Sequence, residues 1–168
     1  MPQLVLLNGP PAVGKSTLAR LRADRAPMTL SLDPDELRGL LGASVRHTQD
    51  GMRAVRELAV AMAGTHLRAG HDVWLPQLVL DESFLDRLAQ VAEAAGADFR
   101  ELLLIDSLQH ISRRVAARHR DFEPTEDELS WYHTEFVHRI GQRPGVLVLQ
   151  CQEGAAEITY RAIDQALT

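Results

Sequence analysis

At 168 residues the chain has the length of one domain, taking about 150 residues per domain as a guide. Hydrophobic residues at 45% and charged residues at 24% exclude a disordered or fibrous chain. With 18 basic against 23 acidic side chains the net charge is −5, which argues against a general nucleic-acid or membrane coat.

The N-terminus, Met1-Pro2-Gln3-Leu4, lacks the charged region and long apolar stretch of a signal peptide. No apolar run approaches the ~20 residues that span a bilayer, so a cytoplasmic protein is expected. Residues 4–7 form the first of several short apolar runs, followed by 28–32, 73–75, 99–105 and 146–149. Most are rich in Leu, Ile or Val without strict alternation, which predicts strands covered on both faces. Helical patterns lie between them. Residues 53–69 end at Gly70 and residues 82–95 at Gly96, where glycine suits the turn out of a helix. Met52, Leu58, Met62 and Leu67 are the expected core face of the first of these. Thr125-Glu126-Asp127-Glu128 is a capping box that opens a helix through about Arg139. Residues 155–167 form the last helix, with Ile158, Ile163 and Leu167 at helical spacing. Cys151 has no partner for an internal disulfide, and no Cys and His set has zinc-ligand spacing. The β-α-β alternation predicts an α/β fold: a three-layer, doubly wound, mainly parallel five-stranded sheet in one domain spanning residues 1–168.

Chemistry enters directly after the first strand. Gly9-Pro10-Pro11-Ala12-Val13-Gly14-Lys15-Ser16, followed by Thr17, satisfies G-x-x-x-x-G-K-[ST] between a buried strand and a helical pattern, the Walker A or P-loop context. Glycines let the backbone turn its N–H groups inward around phosphates, and the helix N-terminus adds its positive end. Of the 18 basic residues 17 are arginine, and the one lysine is Lys15. A compact ammonium reaches β- and γ-phosphates inside such a nest, where a planar guanidinium fits poorly. The Ser16 hydroxyl is placed to join a Mg²⁺ shell. With one lysine, the guanine-reading Asn-Lys-x-Asp cannot exist, and an ABC-type signature is also absent. A small ATP-dependent kinase or an ATP-driven switch remains.

The second strand runs into Asp33-Pro34-Asp35-Glu36-Leu37-Arg38. Ligands of a doubly wound sheet bind at the carboxyl ends of its strands, so these acids face the nucleotide site. Asp33 reads as the N-cap, Pro34 as the first helical residue and Glu36 as the partner that completes a capping box. Asp35 is then free to act as general base on an acceptor hydroxyl, and Arg38 lies one turn further on the same face.

Gly9 to Thr17 followed by Asp35-x-x-Arg38 resembles the P-loop kinases that include polynucleotide 5′-hydroxyl kinase, chloramphenicol phosphotransferase and the zeta toxins, with their AAA-type ATP-binding domain. The resemblance implies that Asp35 activates the acceptor and that Arg38 is the substrate-side arginine. It also implies an arginine-bearing lid, here about residues 113–127, that closes over ATP. Arg118 matches the arginine that touches the transferring phosphoryl group and Arg114 the one a turn before it.

Many phosphate-loop enzymes carry an acid at the tip of the strand beside the loop. If the third strand is that neighbour, Gln77 stands in its place, where it can orient a water or contact substrate but adds no charge to the metal shell. Asp106, ending a run that looks like a Walker B strand, reads as the cap of the next helix. Arg46, His47, Arg53 and Arg56 cluster between the second and third strands. They read either as contacts to a phosphorylated or nucleic-acid acceptor or as a solvated face. Packing is the expected role of Trp131, Tyr132 and His133. The expected protein is an ATP- and Mg²⁺-dependent phosphotransferase acting on a hydroxyl of a small molecule of sugar, nucleoside or antibiotic type. A polynucleotide 5′-hydroxyl kinase and a non-catalytic ATPase switch are the rivals.

Overall fold

The apolar runs become strands β1 (Gln3–Asn8), β2 (Leu30–Ser31), β3 (Val73–Pro76), β4 (Asp98–Ile105) and β5 (Leu147–Gln150). A computed structural model describes residues 1–118, 123–140, 142–152 and 154–167. All strand pairs are parallel, in the order β2-β3-β1-β4-β5. Helices α1 (Lys15–Arg25), α2 (Pro34–Arg38), α3 (Gln49–Arg68), α4 (Glu82–Ala94), α5 (Leu108–Ala116), α6 (Glu126–His138) and α7 (Ala156–Leu167) connect and cover them.

Successive β1 side chains point to opposite faces of the sheet. Leu4 and Leu6 pack with Val73 and Leu75 of β3 against Ala63 and Leu67 of α3 and Leu85 and Leu88 of α4. Val5 and Leu7 pack with Trp74, Leu102 and Leu104 against Leu18 of α1 and Ile163 of α7. All four β1 side chains are fully buried, and each stabilises the fold by about 2 kcal/mol. Helices on both faces of a parallel sheet ordered 2-3-1-4-5 make this the P-loop NTPase fold.

Several local expectations change. β2 is an edge strand of two residues because Met28 lies exposed outside it. Helix α3 starts at Gln49, earlier than the apolar pattern predicts, because the Thr48 hydroxyl caps it by accepting from Gly51 N–H at 3.1 Å. Gly51 is required there: a Cβ would stand 2.0 Å from the Val45 carbonyl oxygen. The core face of α3 is Val55, Ala59, Val60, Ala63 and Leu67, whereas Leu58 and Met62 are exposed. Small residues at 59 and 63 let the helix sit close to the sheet, so bulk misleads about which face is buried. In α7 the buried set is Thr159, Tyr160 and Ile163, and Ile158 is exposed. The Thr125–Glu128 capping box of α6 forms as expected, with Glu128 Oε2 accepting from Thr125 N–H at 2.8 Å.

Two caps are corrected. Asp33 does cap α2, accepting from Asp35 N–H at 3.0 Å, but Glu36 closes no box and instead pairs with Arg20 of α1. The cap of α5 is Ser107, which accepts from His110 N–H at 3.2 Å, and not Asp106. Asp106 is buried and pairs with Arg114 and with His110, the latter at 2.9 Å.

Candidate functional site

The loop between β1 and α1 turns through the left-handed region at Gly9 (φ 141°), Ala12 (φ 61°) and Gly14 (φ 107°). A side chain at Gly9 would place its Cβ 2.3 Å from the Leu104 carbonyl oxygen, so only glycine lets the loop cross the sheet here. Ala12 is the one non-glycine residue at positive φ among the described residues, a conformation that costs about 1 kcal/mol or more. Two features hold it. Its side chain packs with Ile111, Val115 and Leu129, and its carbonyl accepts from Arg114 Nη1 at 2.9 Å. Arg114 is itself fixed by Asp106 at the tip of β4.

Asn8, which no motif reading singles out, fastens the loop from below. Its side-chain oxygen accepts from Gly9 N–H and Val79 N–H, each at 2.9 Å. Its amide donates to the Val79 carbonyl and to Glu101 Oε1, each also at 2.9 Å. A buried amide with four hydrogen bonds thus ties the end of β1 to the chain leaving β3 and to β4. The available signal was a polar residue closing an apolar strand just before the glycine. Asn8→Leu keeps the volume and strands these partners, so it lowers unfolding free energy by about 2–4 kcal/mol in urea titration. A loss below about 1 kcal/mol would show that they are satisfied otherwise.

Inside the loop Lys15 Nζ donates to the carbonyls of Gly9 at 2.9 Å and Pro10 at 2.7 Å. Burial, together with the nearby Arg118 charge, lowers the Lys15 pKa to about 7. The Ser16 hydroxyl donates to Asp33 Oδ2 at 2.8 Å, and burial raises the Asp33 pKa. This corrects the simple capping role: one Asp33 oxygen caps α2 while the other meets the loop serine. Ser16 and Asp33 together form an oxygen pair suited to a hard divalent cation. Among the described residues no cluster of three His, Cys, Asp or Glu is present, so such an ion would take its remaining ligands from phosphate and water.

Three cavities surround the loop. The first, about 290 Å³, is lined by Ala12, Gly14, Lys15, Ser16, Thr17, Asp33, Asp35, Gln77 and Arg118. The second, about 670 Å³, adjoins it and is lined by Asp35, Arg38, Arg46, His47, Met52, Arg56, Gln77 and Arg118 from one side and Glu123, Glu128 and Tyr132 from the other. Pro11, Asp35, Gln77, Leu78 and Arg118 belong to both. The third, about 220 Å³, lies beyond Val13, Gly14 and Thr17 and is bounded by Arg114, Cys151, Gln152 and Thr159. Burial pushes the Cys151 thiol up to about 11, so it stays protonated.

The expected residues therefore sort themselves. Gly9 through Thr17, Asp33, Asp35 and Arg118 gather at the phosphate loop, and Asp35 pairs with Arg38 at 2.9 Å. Gln77 follows the strand beside β1, with its N–H donating to the Leu7 carbonyl at 3.1 Å, so it occupies the acid's place. Arg46 and His47 line the second cavity. Arg53 does not: it is 74% exposed, pairs with Asp50, and belongs to the solvated face. Arg114 reaches the loop backbone and the third cavity, away from the first two. Trp131 is exposed, Tyr132 lines the second cavity, and His133 Nε2 lies 3.0 Å from the Asp106 carbonyl oxygen. The expected lid includes residues 119–122, Arg120 among them, which lie outside the described residues.

A strand, a glycine-turned loop and a helix N-terminus closing around one lysine define a phosphate-binding P-loop protein. A family model described as an AAA domain matches residues 4–138, and the chain belongs to that family. No curated protein matches the chain. Among solved structures, a gluconokinase from Sinorhizobium meliloti 1021 superposes with a TM-score of 0.64 at 16% identity, covering 99% of this chain and 95% of its own. The Mycobacterium tuberculosis APS kinase CysC, in complex with AMPPNP and APS, superposes at 0.68 and 23% identity, covering 99% and 98%. A shikimate kinase from Bacteroides thetaiotaomicron gives 0.60 at 14% identity, with 99% and 98% covered. No described helix is long and apolar enough to cross a membrane.

Proposed function

We propose that the protein is an ATP-dependent kinase that moves the γ-phosphate to a hydroxyl of a small molecule. The observation that carries this reading is the wall shared by the first two cavities. Asp35, a carboxylate, and Arg118, a permanent cation, border both the phosphate loop and the larger cleft. An acceptor in that cleft has a base at one end of its path and the phosphates at the other. The solved structures of similar fold named as gluconokinase, APS kinase and shikimate kinase support the same class of reaction.

In this reading Lys15 and the loop N–H groups hold the phosphates. Asp35 takes the proton of the attacking hydroxyl, and Arg38 orients it from 2.9 Å. Arg118 stabilises charge that spreads over the transferring group, since phosphoryl transfer depends mainly on positioning and electrostatics. Ser16 and Asp33 would hold a Mg²⁺ ion, which would supply charge neutralisation on the phosphates. Arg114, with Val13, Gly14, Thr17 and Gln152, borders the third cavity, where the nucleobase fits. The net charge of −5 and the compact size favour a small molecule over a polynucleotide end.

The test is transfer of labelled γ-phosphate from ATP to a panel of sugars, nucleosides, phenicol and aminoglycoside antibiotics, hydroxy acids and 5′-hydroxyl oligonucleotides. Label on a small molecule supports the reading; label found only as free phosphate across the panel replaces it with an ATPase switch. Lys15 adds a pH signature. Its pKa, lowered to about 7 by burial, rises again when phosphates neutralise the pocket, so nucleotide binding takes up a proton between about pH 7 and 10. Calorimetry at pH 8.5 in buffers of different ionisation enthalpy should show uptake approaching one proton, and affinity should fall as pH rises above 7. Zero uptake would mean that Lys15 is already charged before nucleotide arrives.

A further inference from the structure

The larger cleft has an uneven charge. Arg38 from the end of α2, Arg46 from the connection to α3 and Arg56 from α3 line one wall. Among the described residues three acids line the same space, Asp35, Glu123 and Glu128, and two of them are committed. Asp35 pairs with Arg38, and Glu128 serves the Thr125 cap. Arg56 stacks on Phe84 at 4.7 Å and pairs with Asp81 outside the cleft at 3.4 Å. Arg46 donates only to the backbone carbonyls of Gly39 and Leu41, each at 3.2 Å. No carboxylate lies within 4.0 Å of Arg46 among the described residues. A half-buried guanidinium without a counter-charge is costly unless something else supplies one.

Unsatisfied polar atoms point to the same place. Among the described residues eight buried side-chain nitrogen or oxygen atoms have no hydrogen-bond partner, and five belong to residues lining this cleft: Arg38 Nε, Arg46 Nε, Arg56 Nε, Gln77 Oε1 and Glu123 Oε1. Buried polar groups are normally paired, so such a concentration leaves this cleft with groups for a ligand or ordered water to meet, three of them guanidinium donors. The two ends of the cleft differ in kind. Asp35 and the 94%-buried Gln77, at the boundary with the phosphate site, present acceptor oxygens for hydroxyl groups. Arg46 and Arg56 on the α2–α3 side present only donors and positive charge.

Resting on the kinase reading above, we infer that the acceptor is a small hydroxylated anion: its hydroxyl end meets Asp35 and Gln77, and its carboxylate, phosphate or sulfate meets Arg46 and Arg56. A guanidinium matches each of these groups through paired N–H donors. Neutral nucleosides and phenicols leave Arg46 uncompensated, and cationic aminoglycosides are repelled.

Matched acceptor pairs test this with the unmodified protein. Labelled transfer from ATP is compared for gluconate and glucose, glycerate and glycerol, a nucleoside 5′-phosphate and its nucleoside, and a 5′-hydroxyl oligonucleotide. The expected result is a kcat/KM at least 10-fold higher for the anionic member, with carboxylate and phosphate arms separating the two sources of charge. Equal or better use of the neutral members overturns the inference and leaves the kinase standing. Transfer confined to the oligonucleotide overturns it in favour of a polynucleotide acceptor. Free phosphate alone in every arm removes the kinase reading and this inference with it. Arg46→Gln then localises the anion: the acceptor KM should rise about 10- to 100-fold while the KM for ATP holds. Arg53→Gln, on the solvated face, is the control. Equal acceptor KM values in the two variants would remove Arg46 from the site.

Discussion

Lys15→Arg, which keeps the charge, lowers phosphoryl transfer about 10³-fold. The ammonium sits within 2.9 Å of two loop carbonyls, in a turn where Gly9 and Ala12 are held at positive φ. Three freely turning donors fit such a space, whereas a planar fork of five donors must displace backbone that Asn8 and Arg114 hold in place. A guanidinium also cannot shed its proton when buried, which Lys15, at about 7, does readily. Steady-state rates with saturating acceptor, beside nucleotide affinity by calorimetry, separate the two costs. Activity within tenfold of the parent would show that a point charge anywhere in the nest suffices.

Asp35→Asn removes transfer by about 10³-fold while ATP still binds, because a positioned general base contributes roughly 10²–10⁴-fold. The substitution preserves size and leaves the Asp33 cap intact, so the loss reports on the carboxylate itself. Arg38, paired with Asp35 at 2.9 Å, loses its counter-ion, and Asp35→Glu is the useful companion. Partial recovery by glutamate identifies proton acceptance; none points to geometry. Undiminished transfer by Asp35→Asn would move the base elsewhere, and undiminished ATP hydrolysis without any acceptor would favour a switch.

The sheet and the loop were legible in the sequence because both are local. Five apolar runs announce the parallel strands, though β5 is largely exposed rather than covered on both faces, and the spacing from Gly9 to Ser16 encodes its own backbone path. What escaped depends on tertiary neighbours. Asn8 shows its four hydrogen bonds only once β3 and β4 lie beside β1. Asp106 looked like a cap because Ser107 follows, yet Arg114 lies eight residues along and turns back onto it. Arg46, Arg53 and Arg56 read alike in sequence. Their places in the fold separate them: Arg46 in the α2–α3 connection and Arg56 on α3 line the cleft, whereas Arg53 of the same helix faces solvent. On the expected core face of α3 Leu67 is buried but Leu58 and Met62 are exposed, because Ala59 and Ala63 meet the sheet in their stead.

The shared wall of the two cavities also carries a thermodynamic consequence. Pro11, Asp35, Gln77, Leu78 and Arg118 line both cavities, so a ligand that fixes them in one would fix them for the other. Whichever substrate arrives first bears the entropy of fixing that partition, and the second meets it already set. Reciprocity then makes nucleotide and acceptor tighten each other by the same factor. On the proposed kinase reading, the protein would favour the ternary complex over either binary one, which would limit the time ATP spends bound beside water alone.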